Sequence, residues 1–302
     1  MAEAGERVTI LITGGGGQVG LELLAAKWPD HVRLHAPDRS ELDLSDAGSV
    51  ARLFAANTYA AVINAGAYTA VDKAETDVAA AFAANAMGPA LLADATRVAG
   101  IPLIQVSTDY VFDGSGQGDY TEEAPVGPLG VYGASKLAGE LAVLSGNPRA
   151  VVMRTAWVVS RHRSNFVKTM LRLAAERSRL GVVEDQHGCP TSATDIAEAL
   201  RTISLRMIED EDAPRGVFHF VNAGSTTWAG LAREVFARSQ AAGGPSAEVD
   251  GIPTAAYPTP ARRPGNSRLS TRKIHQAYGI QPRQWQDAIA EIVDQLTEGT
   301  TR

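Results

Sequence analysis

The chain is 302 residues long, more than the usual domain of about 100–200 residues, so one large domain or two coupled domains are expected. Hydrophobic residues make up 45% and charged residues 21%, which is typical of a globular protein and excludes disorder over most of the length. The net charge of −6 disfavours nucleic acid or an anionic membrane as the main partner, although a local basic pocket stays open.

Cysteine and histidine usage narrows the class further. Cys189 is the single cysteine, which excludes an intramolecular disulfide and fits a reducing cytosol. The six histidines are scattered, which disfavours a structural zinc site. No apolar run approaches about 18 residues, the length that spans a membrane, and the charged N-terminus is unlike a signal peptide. We therefore expect a soluble cytoplasmic protein.

The first half of the sequence alternates short apolar runs with longer helical patterns. Strands are predicted over Val8–Ile12, Val32–His35, Ala61–Asn64, Leu103–Ser107 and Val151–Arg154. Helices are predicted over Gly17–Trp28, Ala47–Ala56, Glu75–Ala99 and Ser135–Leu144, with Ser45 or Asp46 as a cap of the second. This alternation predicts a Rossmann-like, doubly wound parallel sheet covered by helices on both faces.

After about Arg154 the alternation becomes less regular. Helices are predicted over Asn165–Glu176, Ala193–Met207, Trp228 to about Arg238 and Gln284–Leu296, and strands over Gly181–Val183 and Val217–Val221. Thr226 or Thr227 is suited to cap the helix at Trp228. The four prolines of Ile252–Pro264 exclude a helix or a central strand there. We expect a first domain over residues 1–155, to which part of 189–221 returns, and a smaller C-terminal α/β domain over 156–302.

A glycine-rich turn follows the first predicted strand. Gly14, Gly17 and Gly20 have the spacing G-x-x-G-x-x-G. Glycines permit a tight turn and let backbone N–H groups approach a pyrophosphate, which the N-terminus of the next helix stabilises. A glycine turn without a ligand is the alternative, but the position between a strand and a helix favours a dinucleotide.

Two charged residues follow the second predicted strand. Asp38 lies 24 residues after Gly14, where an acid can bind the hydroxyls of the adenosine ribose. Arg39 beside it suits a 2′-phosphate instead. Both NADH and NADPH are therefore predicted as cofactors.

A tyrosine and a lysine four residues apart predict acid–base chemistry. Tyr132 and Lys136 share one face of a predicted helix, and an ammonium close to a phenol lowers its pKa. Such a phenol can donate a proton to an alkoxide that forms at a carbonyl carbon. Thr108 ends a predicted strand, at the sheet edge where ligands bind, and can hydrogen-bond the same carbonyl oxygen. Each feature alone also fits a surface helix or a polar turn; their combination favours an active site.

Together these features resemble the extended short-chain dehydrogenase/reductase superfamily. Within it, the sequence is similar to the dTDP-4-dehydrorhamnose reductase family over nearly the whole chain. The motifs that carry the similarity are GGGGQVG at 14–20, NAGAYTAVD at 64–72, STDYVF at 107–112, VYGASKLAGE at 131–140, RTAWV at 154–158, EDQHGCPT at 184–191 and YPTPARRPGNSRL at 257–269.

The resemblance implies NAD(P)H-dependent reduction of dTDP-4-dehydro-L-rhamnose to dTDP-L-rhamnose, for rhamnose of the cell envelope. Tyr132 would be the proton donor, Lys136 its partner, and Thr108 the hydroxyl that tunes it. The implied cofactor residues are Gly14, Gly17, Gln18, Val19, Gly20, Asp38, Arg39, Asp43, Leu44, Ala65, Gly66, Ala67, Tyr132 and Lys136. The implied substrate residues are Thr108, Asp109, Trp157, Asn266 and Arg268. From spacing alone, Trp157 would be assigned to the core.

Several alternatives stay open at this point. Related nucleotide-sugar 4,6-dehydratases carry a glutamate after the strand-end Thr-Asp pair, whereas this chain has Tyr110 there. Related epimerases have a serine-rich version of that motif and lack the Pro-Gly-Asn-Ser-Arg sequence. A non-catalytic regulatory subunit of the same fold, similar to the methionine adenosyltransferase β subunit, is a third alternative. Some family members use Mg²⁺ at a dimer interface. No matching acidic cluster stands out here, so Mg²⁺ is possible but no metal site is assigned. The expected partners are a nucleotide-sugar and a second copy in a possible homodimer.

Overall fold

The computed structural model describes residues 7–298. Its α-helices are α1 (Gln18–Ala25), α2 (Ala47–Ala56), α3 (Val71–Ala74), α4 (Val78–Phe82), α5 (Gly88–Ala99), α6 (Val131–Gly146), α7 (Phe166–Ala174), α8 (Ala193–Glu209), α9 (Trp228–Ala241), α10 (Arg272–Tyr278) and α11 (Trp285–Glu298). Its strands are β1 (Val8–Thr13), β2 (Val32–His35), β3 (Ala61–Asn64), β4 (Leu103–Thr108), β5 (Ala150–Thr155), β6 (Val158–Val159), β7 (Arg179–Val183), β8 (His187–Gly188), β9 (Thr191–Ser192), β10 (Gly216–His219), β11 (Thr226–Thr227), β12 (Glu248–Ile252) and β13 (Asn266–Ser267).

The main sheet has six parallel strands in the order β10-β5-β4-β3-β1-β2. Its central strands β3, β4 and β5 are buried on both faces because helices cover both. Ile10 and Ile12 of β1 pack with Ile196 of α8, whereas Leu11 between them packs with Leu92 of α5 on the other face. The chain leaves β2 at one edge and resumes at β3 on the other side of β1. The crevice between β1 and β3 is therefore the place where such sheets bind ligands. The six parallel strands with helices on both faces confirm the predicted α/β fold class.

The predicted elements of this sheet agree with the structure. The first five predicted strands match β1 to β5 to within one residue at either end, and α2 has the predicted bounds. Asp46, rather than Ser45, caps α2 by accepting a hydrogen bond from the backbone N–H of Gly48 at 2.9 Å. Thr227, rather than Thr226, caps α9 by accepting one from Gly230 at 3.0 Å. The predicted strand over Val217–Val221 ends earlier, because β10 stops at His219.

The predicted helix over Glu75–Ala99 is not one regular helix. The chain forms α3 and α4 first, then a π-helical turn at Ala83–Met87, and then α5. The buried amide of Asn85 lies in that turn and bonds the backbone N–H and carbonyl of Tyr68 at 2.8 and 3.0 Å. It also donates to the hydroxyl of Ser135 at 3.0 Å. The turn therefore points a polar side chain inward, which a helical pattern of apolar residues does not reveal.

The expectation that no apolar segment has membrane-spanning length is wrong. Residues 78–99 form a helical segment of 22 residues whose most apolar 18 residues have a mean hydropathy of 1.3, so it is long and apolar enough to cross a membrane by length and composition alone. Only 33% of its most apolar stretch is buried. The buried side packs on α6, since a Cβ placed on Gly139 would lie 2.0 Å from the carbonyl oxygen of Asn85.

The second half of the chain builds a smaller unit beside the sheet. Its core contains Val167 of α7, Leu180 of β7, Val235 of α9 and Ile289 of α11. Three small sheets, β12-β7, β11-β8-β13 and β6-β9, complete it, and the two-residue strands among them had no signature in the sequence. Ile252 ends β12, and a short 3₁₀ turn at Thr254–Ala256 interrupts the proline-rich segment. The chain also returns to the main sheet, because β10 pairs with β5 and α8 packs on α1.

Candidate active site

The glycine-rich turn brings two backbone segments into contact at the crevice of the sheet. Gly14 has a φ of +70°, and a Cβ there would lie 2.6 Å from the backbone of Gly66, in the loop after β3. A Cβ on Gly20 would lie 2.2 Å from the carbonyl oxygen of Gly14. No side chain caps α1 at Gly17, so its first N–H groups are available to an anion. This cradle fits the pyrophosphate of a dinucleotide.

A second loop closes over the glycine turn. The side-chain carbonyl oxygen of Gln18 accepts hydrogen bonds from Ser160 at 2.9 Å and Asn165 at 3.0 Å. Arg163, with a φ of +53°, donates from Nε to the carbonyl oxygen of Gly16 at 2.7 Å. This places a guanidinium beside the anion cradle. Sequence reasoning missed Arg163, because nothing in its own neighbourhood marks it.

The residues expected around the adenosine lie beyond β2. Asp38 bonds its own turn, accepting from the backbone N–H and hydroxyl of Ser40 at 2.8 and 2.5 Å, and these bonds lower the pKa of its carboxyl. Arg39 forms an ion pair with Asp43 at 3.7 Å, and its side chain is 86% exposed. Leu44 lies inward, since its Cδ1 is 3.1 Å from where a Cβ on Gly66 would be.

Three buried polar side chains join the strands behind the crevice. Thr13 at the end of β1 donates to the side-chain oxygen of Asn64 at the end of β3. Asn64 in turn donates to Gln105 of β4 at 2.6 Å, and its oxygen accepts from the backbone N–H of Gly66 at 3.2 Å. These hydrogen bonds therefore hold in place the loop that contains Ala65, Gly66 and Ala67. The motif at residues 64–72 includes Asn64, but the network depends on Thr13 and Gln105, which are distant in sequence.

Thr108 and Asp109 lie at the carboxyl end of β4, as expected. Thr108 accepts from the backbone N–H of Tyr110 at 3.2 Å and donates to Asp109 at 3.1 Å. Asp109 is 3% exposed, and its Oδ2 has no hydrogen-bond partner among the described residues. Burial raises the pKa of Asp109 to about 6, although hydrogen bonds from Ser267 and Thr108 oppose the rise. An unpaired, buried carboxylate oxygen beside the Thr108 hydroxyl is suited to accept a hydrogen bond from a bound ligand.

Tyr132 and Lys136 lie in the first turns of α6, facing this strand end. Burial raises the pKa of Tyr132 well above its usual value, and the nearby Thr108 hydroxyl offsets only part of the rise. Lys136 is 4% exposed and donates from Nζ to the carbonyl oxygen of Val106 at 2.7 Å. The expectation that Lys136 lowers the pKa of Tyr132 is not met, because the ammonium bonds a backbone carbonyl and the phenol is desolvated. Tyr132 is therefore a protonated phenol, the form a proton donor needs.

A buried ion pair holds the helix of Tyr132 and Lys136 in place. Glu140, one turn beyond Lys136, bonds Arg154 of β5 through contacts of 2.9, 3.2 and 2.7 Å. The guanidinium also lies 5.1 Å above the ring of Phe112. Burial lowers the pKa of Lys136 to about 8, and the carboxylate of Glu140 opposes this.

The comparisons with known proteins decide the family. The family model described as RmlD substrate binding domain matches residues 8–298. The chain belongs to this family. A dTDP-4-dehydrorhamnose reductase of Sinorhizobium fredii is 44% identical over 285 residues, which cover 94% of this chain and 96% of the relative. One of Escherichia coli K12 is 39% identical, with 96% and 98% covered.

Solved structures of RmlD-type proteins agree with this assignment. A dTDP-4-dehydrorhamnose reductase of Clostridium acetobutylicum has a TM-score of 0.89 and 36% identity, with 95% of this chain and 99% of the other covered. One of Bacillus anthracis, solved in complex with NADP, has a TM-score of 0.88 and 30% identity, with 95% and 98% covered. A dTDP-glucose 4,6-dehydratase of the same organism shares the fold at 15% identity.

Trp157 lies between β5 and β6, where the chain passes from the main sheet to the smaller unit. Its φ is +47°, and its ring stacks on Trp228 at 3.6 Å between centroids and 10° between planes. A Cβ on Gly188 would lie 2.3 Å from Cε2 of Trp157. The indole N–H of Trp228 donates to Gln186 at 3.1 Å. Trp157 is thus a partly exposed platform rather than core, and Trp228 and Gly188 support it.

Asn266 and Arg268 hold the loop at residues 116–118 in place through hydrogen bonds to its backbone. Asn266 donates to the carbonyl oxygens of Gly116 and Gly118 at 2.9 and 2.7 Å. Arg268 donates to the carbonyl oxygen of Gln117 at 2.9 Å and to the side-chain oxygen of Asn266 at 2.8 Å. In the described part of the chain, Arg268 makes no ion pair with an acidic side chain, so its charge is available to an anion.

Arg263 is a residue of the family motif whose place the sequence left open. It donates to the Tyr110 hydroxyl at 3.2 Å and to Asp72 at 2.9 Å. The ring of Tyr110 packs edge-on against that of Tyr132, with centroids 5.5 Å apart. Arg263 therefore lies beside Tyr110, which packs on Tyr132, rather than on a solvated loop, and it ties the C-terminal segment to α3.

No group of three or more histidine, cysteine or acidic side chains suited to a metal ion occurs within residues 7–298. A cavity of about 490 Å³ lies beside Cys189 and His275. It does not include Tyr132 or Lys136, and burial raises the pKa of Cys189 to about 11. Thr108, Tyr132 and Lys136 lie apart from this cavity, at the carboxyl end of β4.

Proposed function

We propose that this chain reduces dTDP-4-dehydro-L-rhamnose to dTDP-L-rhamnose with NADPH or NADH, in the cytoplasm, for rhamnose of the cell envelope. The observation that carries the proposal is the meeting of Tyr132, Lys136 and Thr108 at the carboxyl end of β4, next to the glycine cradle. Membership of the RmlD family and the reductase names of its relatives support the substrate.

The cofactor fits the crevice between β1 and β3. Gly14, Gly17 and Gly20, with the N–H groups of Gln18 and Val19, would hold the pyrophosphate, and Ala65 to Ala67 would line the channel. Asp38, Arg39, Asp43 and Leu44 would surround the adenosine. When bound, the reduced nicotinamide supplies a hydride to carbon C4 of the sugar.

The chain's own residues supply the proton and hold the sugar. Tyr132 donates its phenolic proton to the oxygen on C4, so that the ketone becomes a hydroxyl; the raised pKa of Tyr132 keeps that proton in place until charge develops. Thr108 bonds the same oxygen. Lys136, whose ammonium lies on the carbonyl oxygen of Val106, would bond a hydroxyl of the nicotinamide ribose.

The nucleotide-sugar would lie on the side of the smaller unit. Asp109 offers its unpaired Oδ2 to a sugar hydroxyl, and Trp157 offers a flat indole face. Asn266 and Arg268 shape the wall that faces the diphosphate, where a guanidinium binds paired oxygens well. We propose residues 1–155, joined by part of 189–221, as the cofactor-binding unit and the rest of 156–302 as the substrate-binding unit.

The test is turnover of the 4-keto nucleotide-sugar by the purified protein. Loss of reduced nicotinamide absorbance, together with dTDP-L-rhamnose identified by mass spectrometry, supports the proposal. Cofactor binding without turnover would point to the non-catalytic regulatory subunit. Conversion of dTDP-glucose, or exchange between epimers without net oxidation of cofactor, would assign the dehydratase or epimerase alternative.

A further inference from the structure

Three consecutive basic residues, at positions 161–163, lie in the loop between β6 and α7. We name residues 160–165 the basic loop. It belongs to the smaller unit, yet it contacts the first turns of α1, next to the glycine turn of the main sheet. A positive segment of a chain with a net charge of −6 therefore lies beside the anion cradle.

Two of the three basic side chains are directed to one carboxylate. Arg161 and His162 lie 3.4 and 3.2 Å from Oε1 of Glu22, a residue of α1 that is 5% exposed. Within residues 7–298, Arg163 forms no ion pair with an acidic side chain, and only its Nε donates a hydrogen bond, to the carbonyl oxygen of Gly16. The terminal nitrogens Nη1 and Nη2 of Arg163 are therefore available to a ligand.

The backbone of Arg163 adopts a conformation that arginine rarely takes. Its φ is +53°, in the left-handed region where a Cβ crowds the backbone. The loop holds it there, because the amide of Asn165 donates to the carbonyl oxygens of Ser160 and His162 at 2.6 and 3.1 Å. Strained residues of this kind cluster at active sites and ligand-binding sites.

The side chain of Arg163 crosses the outer part of the glycine turn. Its Nε lies 2.7 Å from the carbonyl oxygen of Gly16, and its Nη2 lies 3.4 Å from where a Cβ on Gly16 would be. The neighbouring Gly15 packs on the segment after β2, since a Cβ there would lie 2.9 Å from the Cβ of Ala36. The guanidinium therefore lies at the part of the turn that adjoins this segment, in which Asp38 follows.

We propose that Arg163 binds a phosphate group of the dinucleotide, so that the smaller unit contributes to the cofactor site. The inference rests on the proposed use of NADPH or NADH at the glycine turn. A guanidinium suits this role, because its planar N–H groups donate paired, charge-assisted hydrogen bonds to phosphate oxygens. The bond from Nε to Gly16 sets the direction of the fork and leaves both terminal nitrogens to the ligand.

The basic loop is held in place by the protein itself. The side-chain oxygen of Gln18 accepts hydrogen bonds from Ser160 and Asn165 at 2.9 and 3.0 Å, and Lys168 donates to the carbonyl oxygen of Arg161 at 3.1 Å. Ordering a loop on binding costs free energy, so a loop that is already held contributes more to affinity. Loss of the guanidinium should therefore appear directly as weaker binding of the cofactor.

Two groups of the cofactor carry the chemistry that Arg163 would recognise. A diphosphate is stabilised at the N-terminus of the helix after a glycine turn, and the 2′-phosphate of NADPH lies near the end of the second strand in folds of this kind. Gly16 adjoins both places. Because NADH has the diphosphate and lacks the 2′-phosphate, a comparison of the two cofactors identifies the group that Arg163 binds.

The experiment measures the Kd of NADPH and of NADH by isothermal titration for the whole chain and three variants. Arg163→Gln is the decisive variant, because the glutamine Nε2 is as many bonds from the backbone as the arginine Nε and can keep the hydrogen bond to Gly16. The change removes the charge and the two terminal nitrogens. We expect the Kd for NADPH to rise by about ten- to a hundredfold, the usual effect of losing a hydrogen bond to a charged group.

Two further variants separate binding from structure. Arg163→Gly removes the guanidinium, and glycine adopts a φ of +53° without steric cost, so NADPH should weaken as much as in Arg163→Gln. Arg172→Ala removes the same charge from α7, where Arg172 pairs with Glu176 on the surface, and should bind both cofactors as the wild type does. Thermal melting without cofactor checks that each variant is folded.

An equal rise in Kd for both cofactors assigns Arg163 to the diphosphate, and a rise for NADPH alone assigns it to the 2′-phosphate; either result supports the proposal. Wild-type affinity in Arg163→Gln would overturn it, because the arginine would then only hold Gly16. An equal loss in Arg172→Ala would also overturn it. A wild type that binds neither cofactor would overturn this proposal and the proposed function together, whereas binding without turnover would overturn the proposed function alone.

Discussion

Lys136 directs its ammonium group to the backbone carbonyl of Val106, 2.7 Å away, and not to the phenol of Tyr132. The lysine is thereby fixed from within the sheet, because Val106 belongs to β4. The state of Lys136 is nevertheless sensitive to pH, since burial lowers its pKa to about 8.

The first prediction concerns this pH dependence. Lys136 is protonated below about pH 8 and loses its proton as the pH rises through that value. We expect kcat/KM to fall by about tenfold for each pH unit above 8, because the proposed role of Lys136 in holding the nicotinamide ribose needs the protonated ammonium. The affinity for NADPH, measured by calorimetry, should weaken over the same range. A kcat/KM that stays level to pH 9.5 would contradict an essential role for the charge.

The second prediction concerns Tyr132. Removing its hydroxyl in Tyr132→Phe leaves the ring against Tyr110 and removes the proton donor. We expect kcat to fall by roughly 10²–10⁴, with the affinity for NADPH little changed. Tyr278→Phe is the control, because that hydroxyl bonds Pro214 outside the groove. Near-normal turnover by Tyr132→Phe would remove Tyr132 from the mechanism.

The third prediction concerns the arginines of the C-terminal motif. Arg268→Ala removes both the contact to Gln117 and a charge without an acidic partner, so KM for the nucleotide-sugar should rise several-fold or more. The Kd for NADPH should stay the same. Arg262→Ala is a matched control, because Arg262 is exposed on the same segment. Equal KM values for the two variants would show that Arg268 only supports the loop.

The fourth prediction concerns cofactor choice. Asp38→Ala should weaken NADH more than NADPH, because an acid bonds a free 2′-hydroxyl and repels a phosphate. Arg39→Ala should have the opposite effect, since its exposed guanidinium suits the phosphate. Isothermal titration of both cofactors against both variants measures the difference. Equal losses for both cofactors would mean that neither side chain faces the ribose.

The fifth prediction concerns the support of Trp157. In Gly188→Ala the new methyl group would lie 2.3 Å from Cε2 of Trp157, while the stack on Trp228 blocks retreat of the ring. We expect a loss of about 1–3 kcal/mol of stability, and a higher KM for the nucleotide-sugar. Gly181→Ala is the control, because a Cβ on Gly181 would lie 3.5 Å from its nearest neighbour, the side chain of Ile252. A variant with unchanged Tm and KM would show that the platform can shift freely.

The central strands and the approach of Tyr132 to Lys136 on one helix could be predicted because their signals are local. The strands β1 to β5 are continuous apolar runs, and Tyr132 and Lys136 lie one helical turn apart. The two-residue strands, such as β8 and β13, exist only because distant segments meet, and no run of apolar residues marks them. The π-helical turn was not predicted for the same reason, since it depends on the hydrogen bonds of Asn85 to Tyr68 and Ser135.

The missed site residues also depend on distant partners. Arg263 is 153 residues from Tyr110 in sequence, and Arg163 is 147 from Gly16, so neither pair shows in a local pattern. The pKa of Tyr132 was expected to fall, because a lysine lay within one turn. Its rise follows from desolvation, which a sequence does not report.

The contact between Gly14 and Gly66 has a consequence for redesign of the cofactor groove. Because the two loops meet backbone to backbone, the width of the groove there is set by main-chain atoms and not by any side chain. Exchanging residues 14–20 for the corresponding loop of another dehydrogenase should therefore fail unless residues 64–67 are exchanged with it. The two loops therefore form one structural unit, although about 50 residues separate them in the sequence.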